Sequence, residues 1–172
     1  FDVHTRLDTS HVVSMCRDLQ PYKPFFIEDP LRAENSGSYR TLARQVRLPI
    51  AAGEQWSSKW AFREVVEEEL ISYARIDLCN VGGITEMRNV AMMANSLGIQ
   101  VNPHVWGSPI MIAATLHIAA TLPPCPPSHD PEPFVQEPVM EFDRTPSGIR
   151  DGLVAEPFDQ VDGFVAVPTG PG

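Results

Sequence analysis

Short, continuous apolar runs alternate with amphipathic stretches from the first residue to about residue 120. The runs are FDVH, PFFIEDP, PIAAGE, YARIDLC and IQVNPHV. A half-solvated strand alternates apolar and polar positions, so unbroken runs of this length predict strands of a parallel sheet with both faces covered. The stretches between them predict helices. DTSHVVSMCRDLQPY opens on a Ser/Thr cap pattern, SGSYRTLARQV follows, and SSKWAFREVVEEELI sets Trp60, Phe62, Val65, Val66 and Leu70 near helical spacing. TEMRNVAMMANSLG ends on a glycine stop signal, and SPIMIAATLHIAATL is apolar enough to demand burial. Strand and helix in turn, with no hairpin signal before the tail, predict βα repeats.

Two architectures use such repeats, a doubly wound sheet and a (β/α)8 barrel. No glycine-rich phosphate fingerprint follows the first run, which weakens the dinucleotide-binding version of the former. The polar residues separate the two more sharply. Asp2, Glu28, Glu54, Asp77 and His104 each fall at or near the C-terminal end of a predicted strand. They recur about 25 residues apart, close to one βα unit, and a barrel builds its active site by delivering one polar group per strand to that rim.

Composition narrows the setting. The 172 residues are 43% apolar and 20% charged, enough for one sizeable core. No run approaches the roughly 20 apolar residues that span a bilayer, and the start has neither the basic nor the apolar region of a signal peptide. A net charge of −9 argues against nucleic acid or an anionic membrane as partner. Cys16, Cys79 and Cys125 are far apart and odd in number, which favours reduced core thiols in a cytoplasmic protein over a disulfide framework or zinc site.

Three carboxylates converging from neighbouring strands, Asp2, Glu28 and Glu54, repel one another unless a cation sits among them. Hard oxygen donors without cysteine point to Mg2+. Next along the rim come Asp77 and His104. An Asp accepting a hydrogen bond from imidazole orients the ring and raises its pKa, which suits His104 to proton transfer. A divalent metal beside such a base suits removal of a proton next to a carboxylate.

FFIEDP, PIAAGE, RIDLCNVGGITE and NPH, in this order, resemble the enolase superfamily, in its mandelate-racemase-like branch. The resemblance implies the C-terminal part of a (β/α)8 TIM-type barrel, strands three to eight, with the capping domain and first two barrel strands absent from this chain. It implies that Asp2, Glu28 and Glu54 hold Mg2+ and that Asp77 and His104 form the catalytic dyad. It also implies an eighth-strand Glu that hydrogen-bonds the substrate carboxylate. VMEFDRTP is similar to that region and selects Glu141, with Glu137 in VQEP as competitor. His4, two residues after Asp2, matches galactonate- and mannonate-dehydratase-like members, where it would protonate the C3 hydroxyl as it leaves.

The implied activity is Mg2+-dependent dehydration of a sugar acid to a 2-keto-3-deoxy acid, by a hydro-lyase of sugar-acid catabolism that is homo-oligomeric at full length. A racemase or epimerase using the same dyad, and a metal-binding relative without turnover, stay open. Two parts are expected, a partial barrel over 1–143 and a C-terminal segment over 144–172. In the latter, DG between short apolar runs predicts a hairpin, which the resemblance packs on a capping domain. His117 is expected to be a satisfied core residue, and Trp56 and Trp106 to line the pocket or cap the rim. Gly82-Gly83 reads as a tight turn, and the acidic run VEEEL as a solvated helix face.

Overall fold

The computed structural model describes residues 1–124 and 137–170, so Cys125, His129 and the proline-rich stretch around them lie outside the described residues. Four short strands, β1 (Ile27–Glu28), β2 (Ile50–Ala52), β3 (Tyr73–Ala74) and β4 (Gln100–Val101), pair in parallel in the order of the chain. Helices α1 (Thr9–Leu19), α2 (Gly37–Gln45), α3 (Lys59–Glu67), α5 (Ile84–Ser96) and α6 (Pro109–Ala119) occupy the five predicted stretches. A further single turn, α4 (Leu78–Val81), follows β3 and is joined to α5 by Gly82 and Gly83, both at positive φ.

The strand order never reverses, whereas a doubly wound sheet reverses at its switch point. Burial says the same. Ile27, Ile50, Ala52, Ala74, Ile76 and Val101 pack with helix residues such as Val12, Leu42, Phe62, Val65 and Val90 in one core, so the helices cover a single face. The other face carries Ala51 and Tyr73 against Phe25, Phe26 and Val139. Tyr73 shares that face with Arg75, Glu28 and Asn102, since alternate strand residues point the same way. Helices outside and polar side chains inside are the cross-section of a partial barrel.

Both ends of the sheet are thinner than the sequence pattern implies. FDVH is expected to be a strand, but its pairing shrinks to one bridge, Asp2 to Glu28, because His4 and Thr5 adopt positive φ of 50° and 58° and turn the chain away. VMEFDRTP forms no strand either. It is held by a hydrogen bond from the Glu141 N–H to the Pro103 carbonyl, 3.1 Å. An edge with no outer neighbour lacks half of its ladder.

Other expectations also need correction. His117 is exposed, not core: it lies between buried Leu116 and Ile118 and points outward from the last turn of α6. Ile110 of the same helix is exposed as well. Trp60 falls outside the α3 core face and stacks under Lys59. Trp56 is buried edge-on against Tyr39 and Phe62, a packing role away from the rim, while Trp106 is exposed. Cys16 is buried but Cys79 is exposed.

After residue 144 come one helical turn, α7 (Gly148–Asp151), and the antiparallel pair β5 (Gln160–Val161) and β6 (Phe164–Val165) around Asp162-Gly163. Both turn residues have positive φ, as a two-residue hairpin requires. Phe158 and Val165 pack, with Met140 and Phe142, on Val105, Met111, Ile112 and Leu116. Among the described residues no helix is long and apolar enough to cross a membrane.

Candidate active site

At the C-terminal ends of the strands the polar side chains meet in a continuous arc. His4 Nδ1 is 3.6 Å from both Asp2 Oδ2 and Glu54 Oε1. Glu54 Oε2 is in turn 3.4 Å from His104 Nε2. The His104 Nδ1 lies 2.8 Å from Asp77 Oδ2, and Asp77 and His104 also form a parallel bridge. Glu141 Oε2 closes the arc 3.6 Å from His104 Nε2. Glu137 is exposed and takes no part in these contacts. Glu54 therefore stands between two imidazoles.

Local backbone sets these positions. Ala51 pairs with Tyr73 on the inner face, so strict alternation would send Glu54 outward among the helices. Gly53, at φ 137°, breaks the alternation and turns Glu54 back to the rim. A Cβ there would lie 2.5 Å from the Phe62 ring, so the turn also depends on having no side chain. His4 reaches the arc by a related device. Its N–H donates to Asp2 Oδ1 at 2.7 Å, and the Thr5 N–H to the Asp29 carbonyl at 2.8 Å, a tight turn in place of an extended strand. Asp77 is doubly used: Oδ1 caps α4 by accepting from the Asn80 N–H at 2.7 Å, which leaves Oδ2 for the imidazole. The Asn80 side chain then donates to the Glu54 carbonyl at 2.7 Å.

The electrostatics follow from this crowding. Burial raises the Glu54 carboxyl, His104 and His4 oppose that, and Glu28 and Asp2 reinforce it. Burial alone would lower the His104 pKa, but the Asp77 hydrogen bond and the Glu141 and Glu54 carboxylates together raise it. For Asp77, burial acts upward and is outweighed by hydrogen bonds from His104 and Asn80, so the carboxyl stays below its ordinary value. These opposite shifts share one cause, the hydrogen bond that holds the imidazole against Asp77.

Three buried polar residues escape the strand-end pattern. Arg75 is buried, with its guanidinium on Glu28 and Glu141. Asn102 is buried beside it. Asp29 is buried at φ 35°; its Oδ1 accepts a long 3.4 Å hydrogen bond from Gly53, and its Oδ2 has no partner. The signal was present for the first two: each is a polar letter inside an apolar run, two residues before Asp77 or His104 and so on the same face.

Among the described residues no three His, Cys, Asp or Glu side chains close on their own to a spacing that would hold a metal ion. The donor set nevertheless fits a hard cation. Asp29 is pushed up to about 7, by burial first and then by the charges of Glu54, Glu28 and Asp2. Asp29 and Glu54 are both raised, with Glu28 and Asp2 among the charges that raise them, as oxygen donors short of positive charge are.

The chain matches relatives of known activity. It is 42% identical over 117 residues to a D-galactonate dehydratase from Ralstonia nicotianae, covering 68% of this chain and 31% of that protein. It is 33% identical over 147 residues to a D-galactarolactone cycloisomerase from Agrobacterium fabrum, covering 86% of this chain and 38% of that protein. A crystal structure of an enolase from Pantoea ananatis with bound D-gluconate and Mg superposes with a TM-score of 0.82 at 25% identity, over 97% of this chain and 38% of that one. This chain thus spans less than two-fifths of the length of the curated relatives it matches. The model of the enolase C-terminal domain-like family matches residues 1–172, and with a one-sided parallel βα sheet that gathers its polar groups at one rim, this chain belongs to that family.

Proposed function

We propose that this chain carries the catalytic face of a Mg2+-dependent acid-sugar dehydratase, which converts an aldonate or aldarate to a 2-keto-3-deoxy acid in cytoplasmic sugar-acid catabolism. The observation that carries this reading is the 2.8 Å Asp77–His104 hydrogen bond beside the Glu54 carboxylate, with Asp2 bridged to Glu28 at the neighbouring strand end. The dehydratase relative at 42% identity and the gluconate- and Mg-bound neighbour support it.

Asp2, Glu28 and Glu54 would hold the metal ion. When bound, Mg2+ neutralises the charge that develops on the substrate carboxylate and so makes the adjacent C–H more acidic. Asp77 holds Nδ1 of His104, and Nε2 takes the C2 proton. Glu141, next to His104 Nε2, would donate to the substrate carboxylate through a proton carried on Oε1, the oxygen that Arg75 and Val105 leave clear. His4, on the other side of Glu54, gives a proton to the C3 hydroxyl, so that the C3–O bond breaks with loss of water and the enol left behind becomes the 2-keto product.

The cycloisomerase relative favours one alternative, in which the same dyad abstracts a proton and no hydroxyl is expelled to water. A panel of aldonic and aldaric acids and their lactones, incubated with the full-length protein and Mg2+, separates the readings. Formation of 2-keto-3-deoxy acid is the expected result. Deuterium entering C2 without that product contradicts dehydration and leaves racemisation or isomerisation. No turnover and no exchange across the panel contradicts the enzyme reading.

A further inference from the structure

Arg75 is the one buried cation of the inner face among the described residues, with 3% of its surface exposed. It follows β3, and its guanidinium reaches three chain segments at once. Nε donates to Glu28 Oε1 at the end of β1. Nη1 donates to the Asn102 carbonyl and side-chain oxygen, each at 3.1 Å, and to the Pro103 carbonyl at 3.0 Å, just beyond β4. Nη2 donates to Glu141 Oε2 at 2.9 Å, the same oxygen that accepts from the Val105 N–H at 3.1 Å. The Phe26 ring lies 5.9 Å away on the apolar side.

A carboxylate has two oxygens, and Arg75 uses one on each of its partners. Glu28 keeps Oε2 clear of the guanidinium, and Glu141 keeps Oε1 clear. The planar fork with five N–H donors fixes the rotation of both carboxylates against one rigid plane, which a Lys point charge cannot do. Glu141 sits on a segment with a single sheet hydrogen bond, so the side-chain tie contributes much of what holds it at the rim.

We infer that Arg75 is a positioning residue. It orients Glu28 for the metal ion and Glu141 for the substrate carboxylate, and so sets the spacing between the two loci. This rests on the function proposed above. The separable claim is that metal affinity depends on a side chain that does not touch the metal.

Calorimetry with Mg2+ alone, on the full-length protein without substrate, tests it in wild type and Arg75→Lys. The variant should melt cooperatively yet bind Mg2+ roughly 10- to 100-fold more weakly, the usual cost of losing a residue that orients a ligand. With substrate, KM should rise along with the fall in kcat, because Glu141 loses its anchor. Wild-type Mg2+ affinity in Arg75→Lys overturns the inference and leaves the proposed function standing. A second readout needs no variant. The buried Arg75 Nε–H signal in the wild-type nitrogen-correlated NMR spectrum should shift as Mg2+ is added. A signal that stays put while calorimetry records binding overturns the inference. If wild type itself binds no Mg2+, the proposed function fails and this inference fails with it, a result distinguished by the silence of the unmutated protein.

Discussion

Asp29 and His104 both hold protons more tightly in the folded chain than their ordinary pKa values would allow, and for different reasons. Asp29 is raised to about 7, chiefly by burial, next to other carboxylates. His104 resists burial because Asp77, Glu141 and Glu54 surround it. A group whose folded pKa exceeds its unfolded value stabilises the fold below the unfolded pKa and loses that contribution as pH rises through the folded one. For Asp29 the window runs from about 4 to about 7, and for His104 it lies above 6.5. The metal-free protein should therefore melt at progressively lower temperature as pH rises from about 5 to 8, and Asp29→Asn should flatten the lower part of that slope. A melting temperature that climbs over the same range would contradict the crowding described here. Added Mg2+ should oppose the fall, since a cation favours the deprotonated carboxylates.

The dyad makes a separate prediction at the same scale. Asp77→Asn keeps the volume and the α4 cap acceptor but removes the anion that holds Nδ1–H of His104. Turnover should drop by roughly two to four orders of magnitude while the fold is kept. Turnover near wild type would take His104 out of proton transfer. Asp77, His104, Glu28 and Glu54 could be picked from sequence because each ends an apolar run. Arg75 and Asp29 were hidden for opposite reasons. Arg75 is a charge within a run, visible only if alternation is read inward from the strand end, while Asp29 looks like the loop residue its proline neighbour suggests.

Among the elements, the β2 end governs the site most. Its three residues are wholly apolar, and the turn after them relies on Gly53. Gly53→Ala meets both an unfavourable φ and a Phe62 contact of 2.5 Å, and should cost about 2–4 kcal/mol and weaken Mg2+ binding by swinging Glu54. Gly98→Ala is the matched control: φ is 76°, nothing lies within 4 Å of its Cβ, and about 1 kcal/mol should be lost with metal affinity intact. Equal losses in both would mean that backbone strain alone matters. Helices α1, α2, α3, α5 and α6 were legible because each buries a stripe of large apolar residues. The outer strands were not, because a run such as FDVH has strand composition whether or not a neighbour completes its ladder. His4 shows the consequence: alternation along a strand places it beside Asp2, yet a left-handed turn brings it there.

For the whole molecule, the sheet is covered by helices on one face, while its inner face carries charges above an aromatic cluster of Phe25, Phe26 and Tyr73. Beyond β1 the pairing is a single bridge, and beyond β4 the Glu141 segment adds one backbone hydrogen bond. Residues 1–172 produced as an isolated polypeptide should bind hydrophobic dyes or self-associate through these edges. A dye-silent monomer with one cooperative melt would show that the two edges are stable as they stand.

The proposed function requires one divalent cation among Asp2, Glu28 and Glu54, facing the Asp77–His104 pair. The most direct measurement is an anomalous-difference map from crystals of the full chain grown with Mn2+, an ion that takes the oxygen sites of Mg2+. One strong peak is expected within about 2.0–2.5 Å of a carboxylate oxygen from each of the three residues, with Glu28 using the oxygen that Arg75 leaves clear. A peak that omits any of the three carboxylates, or a manganese ion bound elsewhere on the chain while this rim stays without one, would contradict it.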